Sequence, residues 1–90
     1  MPKISAYDSF TRCYKKFLAQ HPNLKKKILE RLELLRHNPY APALRFHKLT
    51  GRLEDFYAIT IDYDVRIVVD PDFDNDTFYL VDIGSHDEVY

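Results

Sequence analysis

Tyr57-Ala58-Ile59-Thr60-Ile61-Asp62-Tyr63-Asp64-Val65-Arg66-Ile67-Val68-Val69-Asp70 decides the fold of this chain. Apolar side chains recur at every second residue on both sides of Asp62-Tyr63-Asp64. A period of two is the signature of a strand, and the short polar break reads as a tight turn, so the stretch predicts a β-hairpin. Tyr57, Ile59 and Ile61 share one face of its first strand, expected over 53–62. Val65, Ile67 and Val69 share one face of the second, expected over 65–70, with Arg66 and Val68 on the other.

Downstream of the hairpin, residues 71–76 form a polar loop. The strand expected over 77–83 is apolar on both faces, with Tyr79, Val81 and Ile83 against Phe78 and Leu80, which marks it as central. Upstream, 44–49 reads as a strand turned by Thr50-Gly51. Before Pro42 the period changes to that of a helix. Phe10, Cys13, Tyr14, Phe17 and Leu18 form one stripe behind an N-cap at Asp8 or Ser9. Leu24, Ile28, Leu32 and Leu35, widened by Leu29, form a second stripe after Pro22. Lys25, Lys26, Lys27, Glu30, Arg31, Glu33 and Arg36 cover its other face, and Asn38-Pro39 ends it. Residues 3–7 suggest a short first strand, and His21 and His37 read as helix-end residues. The expected architecture is a single α+β domain over 1–90, ordered β-α-α-β-β-β-β, with both N-terminal helices on one face of an antiparallel sheet. The other sheet face is left partly open.

A chain of 90 residues supports one small core. A net charge of −1 supplies no overall field toward nucleic acid or acidic lipid, so attraction to a polyanion requires a local patch. The lone Cys13 excludes an internal disulfide and a cysteine zinc site, and suits a reducing cytoplasm. No apolar run is long enough to span a membrane, and no signal-peptide core opens the chain, so no membrane partner is expected. Asp70, Asp72, Asp74 and Asp76 alternate as in a calcium loop. The turn glycine and the bidentate glutamate of such a loop are missing in either frame, and a solvated hairpin turn is the better reading. Lys25-Lys26-Lys27 reads as a solvated helix face rather than a nucleic-acid patch.

Alternation brings Arg45 and His47 to one side of their strand and Phe46 to the other. Arg66, flanked by Val65 and Ile67, belongs on the open sheet face; an ordinary ion pair with Asp62, Asp82 or Asp87 is the plainer use for it. The last strand runs through Gly84 and delivers His86, Asp87 and Tyr90 to the rim. Guanidiniums, imidazoles and a phenol with few carboxylates suit a phosphodiester: guanidiniums bind phosphate and the charge that grows on it, while imidazole and phenol move protons. For RNA this implies cleavage without metal or other cofactor, by attack of the 2′-hydroxyl on the adjacent phosphorus and protonation of the departing 5′-oxygen.

Three segments carry a family resemblance: His47-Lys48-Leu49-Thr50-Gly51-Arg52-Leu53, Asp64-Val65-Arg66-Ile67-Val68, and Ile83-Gly84-Ser85-His86-Asp87-Glu88-Val89-Tyr90. In that order and at this length the chain resembles the RelE/ParE toxin superfamily, most closely the RelE/StbE and YafQ-like toxins of type II toxin–antitoxin modules. The resemblance implies a cytoplasmic endoribonuclease, an mRNA interferase that cuts mRNA in the ribosomal A site and inhibits translation. It implies neutralisation by a cognate antitoxin protein, with operator DNA bound only through the toxin–antitoxin complex. By the same resemblance His86 is the catalytic acid or base. Tyr90 is the terminal aromatic that stacks on or orients substrate. His47 is the strand histidine that moves a proton or contacts phosphate, and Arg66 is the phosphate-binding arginine. Asp87 orients His86 or substrate, and Arg45, Lys48 and Arg52 contact the RNA backbone. Ribosome-dependent members are distinctly basic, whereas this sequence has a pI near 6.4. Two alternatives carry the same fold: a ParE-like toxin that poisons DNA gyrase without hydrolysis, whose members lack the terminal histidine–tyrosine pair, and a catalytically decayed member.

Overall fold

The period-two segments pair as a single sheet in a computed structural model, which describes residues 2–85. Strands β1 (Lys3–Ala6), β2 (His47–Lys48), β3 (Tyr57–Asp62), β4 (Val65–Asp72) and β5 (Thr77–Ser85) lie in the order β1-β5-β4-β3-β2. The neighbours β2–β3, β3–β4 and β4–β5 are antiparallel. The first strand is the exception: it runs parallel to β5, with Ile4 opposite Phe78 and Ala6 opposite Leu80. It can do so because helices α1 (Asp8–Gln20) and α2 (Lys25–His37) intervene between it and the remaining strands, and parallel pairing needs such a crossover.

The predicted faces hold except at Ile83. Phe10 and Phe17 of α1, Ile28 and Leu35 of α2, and Ile59, Ile61, Val65, Ile67, Val69, Phe78, Leu80 and Ile83 of the sheet form one buried cluster. Ile59, Ile67 and Ile83 stand directly opposite one another across three strands, forming the central row of the core. Ile83 reaches this face only through a bulge. Val69 faces Leu80 while Val68 faces Asp82, so the register slips by one residue and Ile83 joins Phe78 and Leu80 rather than Val81. Strict alternation predicts the opposite side for Ile83. Val81 instead joins Leu49, Leu53, Phe56, Ala58 and Val68 in a small apolar cluster on the open face.

Four local expectations shift. Tyr7, not Asp8 or Ser9, is the N-cap of α1; the Ser9 hydroxyl donates to the Val81 carbonyl at 3.0 Å and ties the helix to β5 at its bulge. Leu29 is 51% exposed and widens no core stripe, a role taken by Leu34 on the other flank of Ile28 and Leu35. Strand 44–49 contracts to β2, because Pro42–Leu44 closes as a 3-10 turn and Arg45 leaves it in the left-handed region at φ 48°. Strand 53–62 likewise begins only at Tyr57, after a 3-10 turn at Gly51–Leu53.

The acidic loop is a hairpin turn. Asp72 Oδ1 and Oδ2 accept from the Asn75 backbone N–H and side-chain amide at 3.2 and 2.8 Å, and Asp76 takes φ 51° to close it. The helix-end histidines are as expected: His21 donates its backbone N–H to the Phe17 carbonyl at 2.8 Å, and the His37 ring meets Glu33 at 2.7 Å. No helix of the described residues is long and apolar enough to cross a membrane.

Candidate active site

Phe46 sets the direction of the site. Its ring stacks on Tyr57 at 4.7 Å and meets Phe78 edge-on at 5.7 Å, on the helix side of the sheet. Leu44 before it is fully buried. With Phe46 anchored inward, the pleat turns His47 outward, opposite Ala58 of the open-face cluster. His47 Nδ1 lies 2.6 Å from the Arg45 carbonyl. A carbonyl only accepts, so Nδ1 carries the hydrogen, and in the neutral ring Nε2 holds the lone pair. His47, Lys48 and Arg52 are exposed and line a concavity of about 450 Å³ formed by residues 47–53 over the buried Leu49. Gly51 shapes this loop: its φ of 71° is one that side chains rarely adopt.

Arg66 occupies the same sheet face, between Thr60 on β3 and Gly84 on β5. The ion pair proposed for it on sequence does not form with Asp62, whose carboxylate is taken by Lys27 Nζ at 3.0 Å. Arg66 uses the backbone instead. Its Nη1 donates to the carbonyl oxygens of Asp62, Val65 and Tyr63 at 3.2, 3.3 and 3.5 Å. The turn presents these carbonyls together because it spends only two residues, Tyr63 and Asp64, neither with positive φ, and takes up the strand twist in a bulge at Ile61. One amino group is therefore locked, while Nε and Nη2 have no hydrogen-bond partner among the described residues. Such an edge, with two parallel donors, has the geometry that can hold a phosphate or carboxylate. Beside Arg66, Thr60 Oγ1 is buried with no hydrogen-bond partner among the described residues.

The expected grouping is thus split. Arg45 and Arg66 line one groove of about 760 Å³ together with Lys27, Arg31, Thr60 and Asp62. His47, Lys48 and Arg52 line the other concavity. Two strand spacings and a two-residue offset separate His47 from Arg66, on the order of 12 Å between Cα atoms. Gly84, directly opposite Arg66, and Ser85, opposite Val65, end the described part of β5. His86, Asp87 and Tyr90 lie outside the described residues. Sequence reasoning missed Lys27 and Arg31, assigned to a solvated helix face. Their spacing of four, flanking Ile28 of the buried stripe, was the available signal that both border the sheet.

The Lys27 ammonium holds the Asp62 carboxyl below its ordinary value, with help from the Tyr63 backbone N–H and the Arg31 charge. A depressed carboxyl stabilises the folded state above its unfolded pKa, and the contribution is lost as pH falls through the folded value. Asp62→Asn should therefore be less stable than the parent at neutral pH, with the two melting temperatures converging below pH 3.8, the ordinary value. A gap that persists in strong acid would show that the charge is not what matters. Among the described residues no three His, Cys, Asp or Glu side chains converge to hold a metal ion.

No family model and no curated protein sequence matches the chain. Solved structures do, over 96% to 100% of its length. A metal-bound toxin from Helicobacter pylori matches with 27% identity and a TM-score of 0.81, covering 100% of both chains. YafQ in the E. coli DinJ–YafQ complex matches with 14% identity and a TM-score of 0.79, over 100% of this chain and 99% of that one. YoeB in the YoeB–YefM complex from Staphylococcus aureus matches with 22% identity and a TM-score of 0.73, over 96% and 98%. All three share the fold of this chain.

Proposed function

We propose, for a chain whose structural neighbours are toxins of the RelE/YafQ/YoeB/ParE family, that it is the toxin of a type II toxin–antitoxin module. In this reading it acts in the cytoplasm as a metal-independent endoribonuclease that cuts mRNA on the ribosome and so inhibits translation. The observation that carries the chemistry is Arg66: its Nη1 is clamped by three carbonyls while its second edge has no partner among the described residues and can take a phosphate. A guanidinium held in place before substrate arrives needs no reorganisation when negative charge builds on the phosphorus oxygens. The 2′-oxygen attacks the adjacent phosphorus, its proton passes to a base, and the 5′-oxygen leaves with a proton from an acid. His47, whose Nε2 lone pair follows from the Arg45 hydrogen bond, and His86 supply these two groups, and Tyr90 orients the substrate. Lys48 and Arg52, beside His47, contact the RNA backbone, and Asp87 orients His86.

DinJ and YefM, bound to the two relatives, are read as antitoxins, and a small cognate antitoxin is the expected partner here. Operator DNA would be engaged only through that complex. Primer extension on mRNA after induction should reveal cuts in ribosome-bound messages. His86→Ala should abolish them, and deletion of Tyr90 should reduce them about 10²-fold or more with little change in melting temperature. Cutting at the parent rate in His86→Ala would remove that residue from the chemistry. Intact mRNA with a DNA-damage response would instead assign the chain to gyrase.

A further inference from the structure

The groove shared by Arg45 and Arg66 extends well beyond a single phosphate. It runs from Arg66 on the open face, around the end of β3, to α2. It exists because β2 pairs only with Tyr57 and Ala58, leaving the later part of β3 as an uncovered edge. Among the described residues its charge is unbalanced: Asp62 is taken by Lys27, and Asp64 is the one other carboxylate of the described lining. Arg31 and Arg45 have no hydrogen bond or ion pair with any described residue, and Arg66 keeps one open edge. Among the described residues, three guanidiniums thus line the groove against one carboxylate outside an ion pair. Arg45 is held there in a left-handed backbone conformation, a cost that proteins tend to carry at functional positions. Tyr63, 93% exposed, stands at the lip.

We propose that this groove is a second RNA subsite, holding the backbone that leads away from the scissile phosphate. Arg31 and Arg45 neutralise the neighbouring phosphates, and the Tyr63 ring stacks on a base. Aromatic rings beside a cationic track are the usual means of gripping single strands without reading sequence. Arg66 belongs to both the cleavage site and the groove, so one strand can pass from one to the other. The local patch also answers the net charge of −1, since attraction for a polyanion here requires no basic molecule overall.

The inference rests on RNA being the substrate, and its test separates the two claims. A 2′-O-methyl hexanucleotide cannot be cut, because its 2′-oxygen cannot attack, but it retains the backbone charge. Binding of the fluorescein-labelled hexanucleotide to the full chain is followed by anisotropy over a range of salt. Each phosphate-neutralising cation contributes about 0.7 to the slope of log K against log salt for a single strand. Arg31→Gln and Arg45→Asn should each lower that slope by about 0.7, and the double variant by about 1.4. Asparagine at 45 tolerates the left-handed backbone, so charge is removed without unfolding the turn. Arg12→Gln, on exposed α1 surface, should leave the slope unchanged. If the parent cuts RNA but the double variant keeps the full slope, the groove is overturned and the functional reading stands. If the parent neither cuts nor binds RNA, both fall. An unchanged slope with lost affinity for an acidic partner protein overturns the subsite and gives the groove to that partner.

Discussion

Arg66→Ala is expected to reduce mRNA cleavage by about 10²–10³-fold, the range seen when one preorganised donor is removed from a site that stabilises growing negative charge. The loss should fall on the chemical step. Arg66 is half-buried, and its described hydrogen bonds go to turn carbonyls that water can satisfy once the side chain is gone, so stability should fall by only about 1 kcal/mol. Arg66→Lys should rescue little. An ammonium keeps the charge but cannot donate to the turn through one group while presenting a planar pair of donors to phosphate. Single-turnover cleavage and thermal unfolding on the same preparations decide the matter. Parent-like cleavage in Arg66→Ala would leave Arg66 as a turn-capping residue only.

Ile67→Ala is expected to cost about 2–5 kcal/mol of folding stability, the range for truncating a large aliphatic side chain in a closed core. Ile67 is fully buried and lies in the middle of the Ile59–Ile67–Ile83 row, so neighbours on both strands hold the cavity open. A domain of this length has on the order of 5–14 kcal/mol in total, at about 0.05–0.15 kcal/mol per residue. The substitution should lower the urea midpoint sharply without changing the denaturant slope. A loss below about 0.5 kcal/mol would mean that the row can collapse into the space, contrary to the packing described. Arg66 is the preceding residue on the same strand. The two substitutions therefore separate the faces of β4: one should cost chemistry with little stability, the other stability directly.

That separation of faces was legible in the sequence. Successive side chains of a strand point to opposite sides as a matter of covalent geometry, so Val65, Ile67 and Val69 could be assigned inward and Arg66 outward without knowing any partner. The helical stripes of Phe10, Phe17, Ile28 and Leu35 followed in the same way from a period of 3.6. So did the outward direction of His47, once Phe46 was recognised as the residue that must be buried.

Only the tertiary structure decided what depends on a distant segment. The Leu80–Asp82 slip against Val68–Val69 moves Ile83 into the core and sets Gly84 opposite Arg66. Nothing near Ile83 in sequence announces it, because a bulge is a property of two strands in register. The left-handed Arg45 and the two-residue β2 split the expected cluster into two concavities. The parallel seat of β1 beside β5 depends on the crossover through both helices. Lys27 finds Asp62 across 35 residues of chain, which frees the Asp62 carbonyl, and not its carboxylate, to hold Arg66. Direction of a side chain is local and can be read from spacing. Its partner is set by register, by crossover and by competition among charges, and these exist only once the chain has folded.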